Sequence, residues 1–492
     1  MVKTRRSRSQ SAKQERTLFG VPERFMKPRI VLMVVVALLV LFGLLMIYSA
    51  SSVTAMTNPD MGNNPFYFVT KQGIIALVGT VLAVGLAVFD YRKLCRAWPV
   101  LFGVTVAILA LVLMPFAGTD ALGATRWIAI GGFTIQPSEF AKISIIMMVA
   151  FLIQQYLVDG TIDQRRFIIT CAAVVVLPLL LILRQPDKGT TLIIVTSIIV
   201  MAFLAGFDMR LVMMLGAAGA VVLLFLATRD EYSRARFLIG LNPWADYSNT
   251  GYQLAQAQYA FGTGGLFGVG IGFSKQKYSY LPMAHNDFIF AVIGEETGYI
   301  GILCLFAAFA LLAWAGYQIA KYAPDLTGRL IAAGFTSMFV FQALLNVGGV
   351  VGVLPLSGKP LPFISYGGST LLSSLITVGV LMSISRRSAL PQTEHDSRRR
   401  SWRFADEEDS ELPEDFMEAY ETPSLTTIGT PRSKPATLGS SFTMVDGGNT
   451  GRSPSRSSRE RIDLGPSATD RLRGSSESRG GRGRGKGRDF RG

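Results

Sequence analysis

Four short stretches hold the residue types that could do chemistry in an otherwise apolar chain. The first, GATRWIAIGGFTIQPSEFAKI, contains Arg126, Trp127, Gln136, Ser138, Glu139 and Lys142. Glu139 and Lys142 are three apart, so on a helix they share a face and can pair. Pro137 and Ser138 suit the first turn of that helix. The second, RQPDKGTTL, sets Arg184, Asp187 and Lys188 in a short turn. The third, AHNDFIFAVIGEETG, places His285 and Asp287 just ahead of a long apolar run, with Glu295 and Glu296 about two turns deeper. The fourth, NVGGVVGVLPLSGKPLPFISYGGST, interrupts an apolar run with glycine and proline and contains Ser365, Tyr366, Gly367 and Gly368. Each has a plainer reading as an ion pair or a charged turn. Charge at the edge of hydrocarbon is costly, however, and asks for a reason. Broken backbone at membrane depth is tolerated only where protein or a water-filled cavity satisfies it.

The elements that must position these residues are membrane spans. Of 492 residues, 50% are hydrophobic and only 17% charged, and mean hydropathy is +0.37. Those values exclude an ordinary soluble enzyme. About ten segments suit a hydrocarbon core of ~30 Å: residues 30–49, 72–89, 98–116, 139–157, 167–183, 190–207, 211–228, 287–320, 330–354 and 368–385. The glycines between 294 and 301 could split the eighth into a short re-entrant piece and a spanning helix. The fold class is therefore an all-α polytopic membrane protein with a long outer loop and disordered cytoplasmic ends. Basic residues in alternate loops (Arg92, Arg165, Arg210, Lys321) and after the last span (Arg386, Arg387) put both ends on the cytoplasmic side.

Three regions result: a basic arm, 1–29; a membrane domain, 30–387; and a polar tail, 388–492, too poor in apolar residues to offset ordering entropy. The tail holds an acidic block at 406–421 with Phe416, Met417 and Tyr420 interleaved, a candidate docking segment. The net charge of +14 is concentrated in the ends and inner loops, so no nucleic acid partner is expected. Cys95, Cys171 and Cys304 lack metal spacing. The loop from about 229 to 286 is long enough to be functional. Its glycine-rich run lacks the strand and lysine of a phosphate cradle. An amphipathic segment lying on the outer membrane face fits better, with Tyr252, Tyr259, Phe261, Leu266 and Phe267 toward lipid.

By this topology all four clusters lie on the outer side. Acid, base and cation gathered there in one polar cavity would suit a substrate with a long hydrocarbon tail and a charged, hydroxyl-rich head. Composition and spacing leave open whether that molecule is moved or made to react.

Taken together, GATRWI, QPSEFAK, QPDKGT, GYQ, AHNDFIFAVIGEE and PLPFISYGG closely resemble the SEDS family (shape, elongation, division and sporulation), in order and spacing, across residues 30–387. The wording resembles the division branch more than the elongation branch. The resemblance implies a ten-helix, inverting peptidoglycan glycosyltransferase that polymerises lipid II outside the cytoplasmic membrane, at the division septum. It implies a class B penicillin-binding protein as transpeptidase partner, and other divisome proteins, which the tail could dock. The family's proposed catalytic aspartate falls on Asp287. Its cavity acid and lysine fall on Glu139 and Lys142, and its outer-loop pair on Arg126 and Trp127. Gln136, Ser138, Asp187, His285, Ser365, Tyr366, Gly367 and Gly368 complete the candidate substrate-binding set. Lys188 stands where relatives often carry an apolar residue, and Thr370 where serine is common.

The chemistry fits one carboxylate. An acceptor 4-hydroxyl attacks an anomeric carbon whose polyprenyl pyrophosphate is already a good leaving group, so a general base suffices. Lys142, Arg126 or a divalent cation, magnesium or manganese, could offset the pyrophosphate charge. A lipid II flippase would use the same charges. It should show matching broken helices in both halves, and none is convincing.

Overall fold

The computed structural model describes residues 17–18, 21–114, 119–121, 124–130, 133–229, 234, 239–240, 242–247, 251–278 and 280–388. Most of the basic arm and the tail beyond 388 lie outside these residues, as does the acidic block at 406–421.

Each of the ten expected spans is a helix. They are α1 (Glu23–Thr57), α2 (Tyr67–Val88), α4 (Trp98–Val112), α5 (Pro137–Leu157), α6 (Gln164–Arg184), α7 (Lys188–Ala205), α8 (Met209–Arg229), α10 (Ile289–Lys321), α11 (Leu326–Val351) and α12 (Gly368–Arg386). Two shorter helices, α3 (Tyr91–Arg96) and α9 (Tyr252–Gly264), lie between them. Eight of the ten are long and apolar enough to cross a membrane, and α4 and part of α8 form shorter apolar helices. Burial sorts them. The most apolar stretches of α5, α11 and α12 are 67%, 72% and 83% buried, against 17% for α2 and α6. The first three form the centre of the bundle, and the polar clusters are carried on them or beside them.

The first and last helices meet at one end. Arg29 Nε donates to Ser385 Oγ at 3.1 Å, and Arg387 pairs with Asp90 at 3.5 Å. An even number of crossings follows. At the other end a sheet covers residues that read as plain loop in the sequence. Strands β3 (Thr119–Ala121), β4 (Ala124–Ile130) and β5 (Phe133–Ile135) pair antiparallel, with Thr119 opposite Trp127 and Ile128 opposite Ile135. A two-residue pair, β1 (Thr17–Leu18) with β2 (Val21–Pro22), precedes α1.

The expected split in α10 is present. Gly298 has φ +67°, a left-handed conformation that breaks the helix. The glycine-rich run of the long loop fills the gap. Val269 and Gly270 donate backbone N–H groups to the Glu295 and Glu296 carbonyls at 2.9 and 3.0 Å, and Tyr299 donates back to Gly265 at 2.9 Å. A Cβ on Gly264 or Gly268 would collide with the Gly294 or Glu296 carbonyl. The glycines are there for backbone contact, and these bonds pair carbonyls and N–H groups that the break would otherwise leave open. Of the residues expected to face lipid, Tyr259, Leu266 and Phe267 are exposed. Phe261 is a correction: its ring turns inward, 5.6 Å from Phe290.

Candidate active site

Gln136 precedes α5, and Pro137 opens it at the position where its missing N–H costs nothing. That start places Ser138, Glu139 and Lys142 in the protein interior, at most 1% exposed. The expected pair forms: Lys142 Nζ lies 3.0 Å from Glu139 Oε2. It also donates to Gln342 Oε1 of α11 at 2.8 Å.

Asp187 caps α7, accepting from the Thr190 backbone N–H at 3.2 Å and hydroxyl at 2.8 Å. In the sequence it reads as a charged turn residue; in the structure it is 2% exposed. Ser138 Oγ and Gln136 Nε2 donate to its Oδ2 at 2.8 and 2.9 Å. The fifth donor was not foreseen. Lys359, from the irregular segment between α11 and α12, donates to Asp187 Oδ2 at 2.8 Å and lies 3.7 Å from Glu139 Oε1. Burial alone would raise the Asp187 carboxyl. The Lys359 charge and hydrogen bond, the Ser138 hydroxyl and Arg126 outweigh it and hold the group well below the usual carboxylate range. Two carboxylates and two ammonium groups thus close into a neutral cluster under the outer end of the bundle.

Arg126 secures this turn from above, donating through Nε and Nη2 to the Gln185 and Pro186 carbonyls, each at 2.8 Å. Trp127 is its half-buried neighbour on β4. Ser369 Oγ accepts from the Gln136 N–H at 2.8 Å, joining the start of α12 to the same point.

Asp287 sits beside the cluster. Asn346 of α11 donates through one amide nitrogen to both the Asp287 carbonyl, at 2.9 Å, and the Lys359 carbonyl, at 2.8 Å. Asp287 is partly buried. His285 is packed into rings, 4.4 Å from Phe68 and 5.6 Å from Tyr366 between centroids. Burial lowers its pKa to about 4, so it is neutral in the cell and supplies no cation. The Tyr366 N–H donates to the His285 carbonyl at 2.9 Å. Gln72 of α2 holds the Ser365 carbonyl at 3.3 Å and the Gly367 N–H at 3.4 Å.

The four stretches therefore converge, with one exception. Glu295 and Glu296 point away from the cluster and fasten the long loop. Glu295 accepts from Thr263, Ser274 and the Lys275 N–H, and Glu296 from Ser49 of α1 at 2.5 Å. The expected open outer cavity is also corrected. The four charges are 0–3% exposed and packed on one another, whereas a cavity of about 440 Å³ lies toward the end where the first and last helices meet, lined by Arg92, Arg96 and Asp325 among others. Lys359, Gln72, Gln342 and Asn346 are the residues the sequence reading passed over. Lys359 had a signal: it is the single charged residue between Arg329 and Arg386.

This bundle, with an ionic cluster beneath an outer carboxylate, defines a polytopic membrane protein built round a polar site. The family model described as cell cycle protein, covering FtsW, RodA and SpoVE, matches residues 29–390, and the chain belongs to that family. It is 41% identical over 363 residues to a protein of Geobacter metallireducens named probable peptidoglycan glycosyltransferase FtsW, covering 73% of this chain and 94% of that one. It is 39% identical over 362 residues to stage V sporulation protein E of Bacillus subtilis, covering 73% and 98%. Among solved structures it resembles a chain of a peptidoglycan synthase complex described as coordinating polymerization and crosslinking, with TM-score 0.59 and 28% identity over 72% of this chain and 96% of that one. It also resembles the rod shape determining protein RodA of Thermus thermophilus, with TM-score 0.53 and 26% identity over 73% and 97%.

Proposed function

We propose that this protein is the peptidoglycan glycosyltransferase of cell division, polymerising lipid II on the outer face of the cytoplasmic membrane. The observation that supports the reading is the placement of partly buried Asp287 beside the buried ionic cluster, with Asn346 bridging the Asp287 and Lys359 carbonyls. Asp287 accepts the proton of the acceptor 4-hydroxyl. The oxygen bonds to the donor's anomeric carbon, and undecaprenyl pyrophosphate departs with the electron pair from the opposite face, so the α-linked donor becomes a β-linked product. Arg126, half-buried above the cluster, is the cation that meets the leaving pyrophosphate. Among the described residues no three His, Cys, Asp or Glu side chains gather to hold a metal.

A class B penicillin-binding protein is the proposed partner that crosslinks the strands, with other divisome proteins recruited through the cytoplasmic tail. Both chain ends are proposed to lie in the cytoplasm and the protein to concentrate at the septum. The test is purified full-length protein with purified lipid II, with and without the transpeptidase. Glycan strands are expected in at least one arm. Transbilayer movement of lipid II in vesicles, with no strands in either arm, would replace this reading with a flippase.

A further inference from the structure

The outer end of α1 and the start of α2 carry a row of rings that the reaction above leaves unused. Tyr48 and Phe66 stack, 5.1 Å between centroids and 15° between planes, and are 37% and 52% exposed. Tyr48 lies roughly 28 Å along α1 from Arg29, at the outer edge of the hydrocarbon. Half-buried Tyr67 comes next. The Lys71 ammonium sits 4.4 Å from its ring centre and 2.7 Å from its hydroxyl. Behind them Phe68 packs edge-on against Tyr67 at 5.3 Å and Tyr366 at 5.0 Å, and lies 4.4 Å from His285. His285 is two residues from Asp287. Ring contacts thus run from His285, two residues before Asp287, through Phe68 to Tyr67, the chain neighbour of the exposed Phe66–Tyr48 pair, with buried Phe68 and His285 packed against half-buried Tyr67 and Tyr366.

Such a ledge suits a sugar chain. A pyranose offers an apolar C–H face to an aromatic ring and hydroxyls at its rim, and aromatic surfaces with a few placed polar groups recognise such ligands. An interfacial lipid anchor would favour Trp and Tyr, whose polar tips sit among headgroups. Phe66, the most exposed ring of the row, has no such tip. A cation beside the rings matches an acidic ligand, because the peptide branches of a nascent strand end in carboxylates.

We propose that this ledge is the acceptor-strand subsite: Tyr48, Phe66 and Tyr67 stack the rings of the growing glycan as it leaves Asp287, and Lys71 pairs with a peptide carboxylate. The proposal deepens the polymerase reading and rests on it. Holding the product sets how many additions occur before the strand is lost, so the ledge governs strand length.

The test uses full-length protein in lipid nanodiscs and two readouts. One is saturation-transfer NMR with a β-1,4-linked N-acetylglucosamine hexamer, which needs no turnover. The other is the length of strands made from lipid II. Tyr48→Leu with Phe66→Leu keeps the apolar area but removes the rings. It is expected to weaken hexamer binding by about tenfold or more and to shorten the strands. Phe66→Trp alone is expected to retain both properties, which a mere folding defect at this site would not. Wild-type hexamer binding and strand length in the double-leucine variant would overturn the proposal and leave the rings as a lipid anchor. If the wild-type protein binds the hexamer but makes no strands, the ledge stands and the polymerase reading falls. If it makes strands but does not bind the hexamer, the reverse holds.

Discussion

Two aspartates at the outer end of the bundle are held in opposite ways. Asp187 is fixed by its side chain, which takes hydrogen bonds from Gln136, Ser138, Lys359 and both the backbone and hydroxyl of Thr190. Asp287 is held through its main-chain carbonyl by Asn346, and the residue is partly buried. A carboxylate among so many donors stays ionised far below neutral pH and is a poor proton acceptor. Asp187 is therefore poorly suited to take a proton, and Asp287 is the residue proposed to meet a substrate hydroxyl. The type of residue is the same; Asp187 is 2% exposed, whereas Asp287 is only partly buried.

The comparison breaks most severely at Lys359. Lys359→Met leaves Asp187 and Glu139 with one lysine between them, and should cost about 3–5 kcal/mol. Lys359→Met with Asp187→Asn should recover most of the loss, since no uncompensated charge remains. Thermal unfolding in nanodiscs checks both, and an unchanged midpoint in the single variant would contradict the ionic reading of the cluster.

His285 sharpens it through pH. Burial lowers its folded pKa to about 4, against ~6.5 in the unfolded chain. The unfolded chain then takes up the proton first as pH falls. The stability tied to neutral His285 is complete above about pH 6.5 and drains away toward pH 4, by about 3 kcal/mol at most. His285→Phe should flatten the unfolding midpoint across that window; a slope identical to wild type would assign the titration elsewhere.

Asn346 joins the two regions, so it tests their coupling. Asn346→Leu leaves the Asp287 and Lys359 carbonyls without its amide, at a cost of roughly 1–3 kcal/mol. Polymerisation should fall about tenfold or more as Asp287 shifts, because small displacements of a reacting group are costly in rate. Loss of stability with full activity would show that Asp287 does not depend on this anchor.

Much of this was legible in the sequence, for reasons that also mark the limits. Apolar runs fixed the ten spans to within a few residues at most ends, because hydrocarbon sets their length. The Gly298 break was visible among its neighbouring glycines. The Glu139–Lys142 pair followed from helical spacing alone. Contacts between distant segments were not legible. Lys359 reaches Asp187 across 172 positions, and nothing local in SGKP announces it beyond a lone charge in a long apolar region. Gln72 and Asn346 look like ordinary polar residues until the chain folds. The strands β3 to β5 were missed because strands of three to seven residues are too short for alternation to stand out. Glu295 and Glu296 misled in the other direction: intramembrane acids suggest a site, but hydroxyls and backbone N–H groups from the long loop and α1 claim them.

The central claim is that Asp287 is the base. Purified Asp287→Asn protein, matched to wild type in unfolding midpoint and in binding its transpeptidase, should polymerise lipid II at least about a hundredfold more slowly. Near-normal strand synthesis by that folded variant would contradict the account.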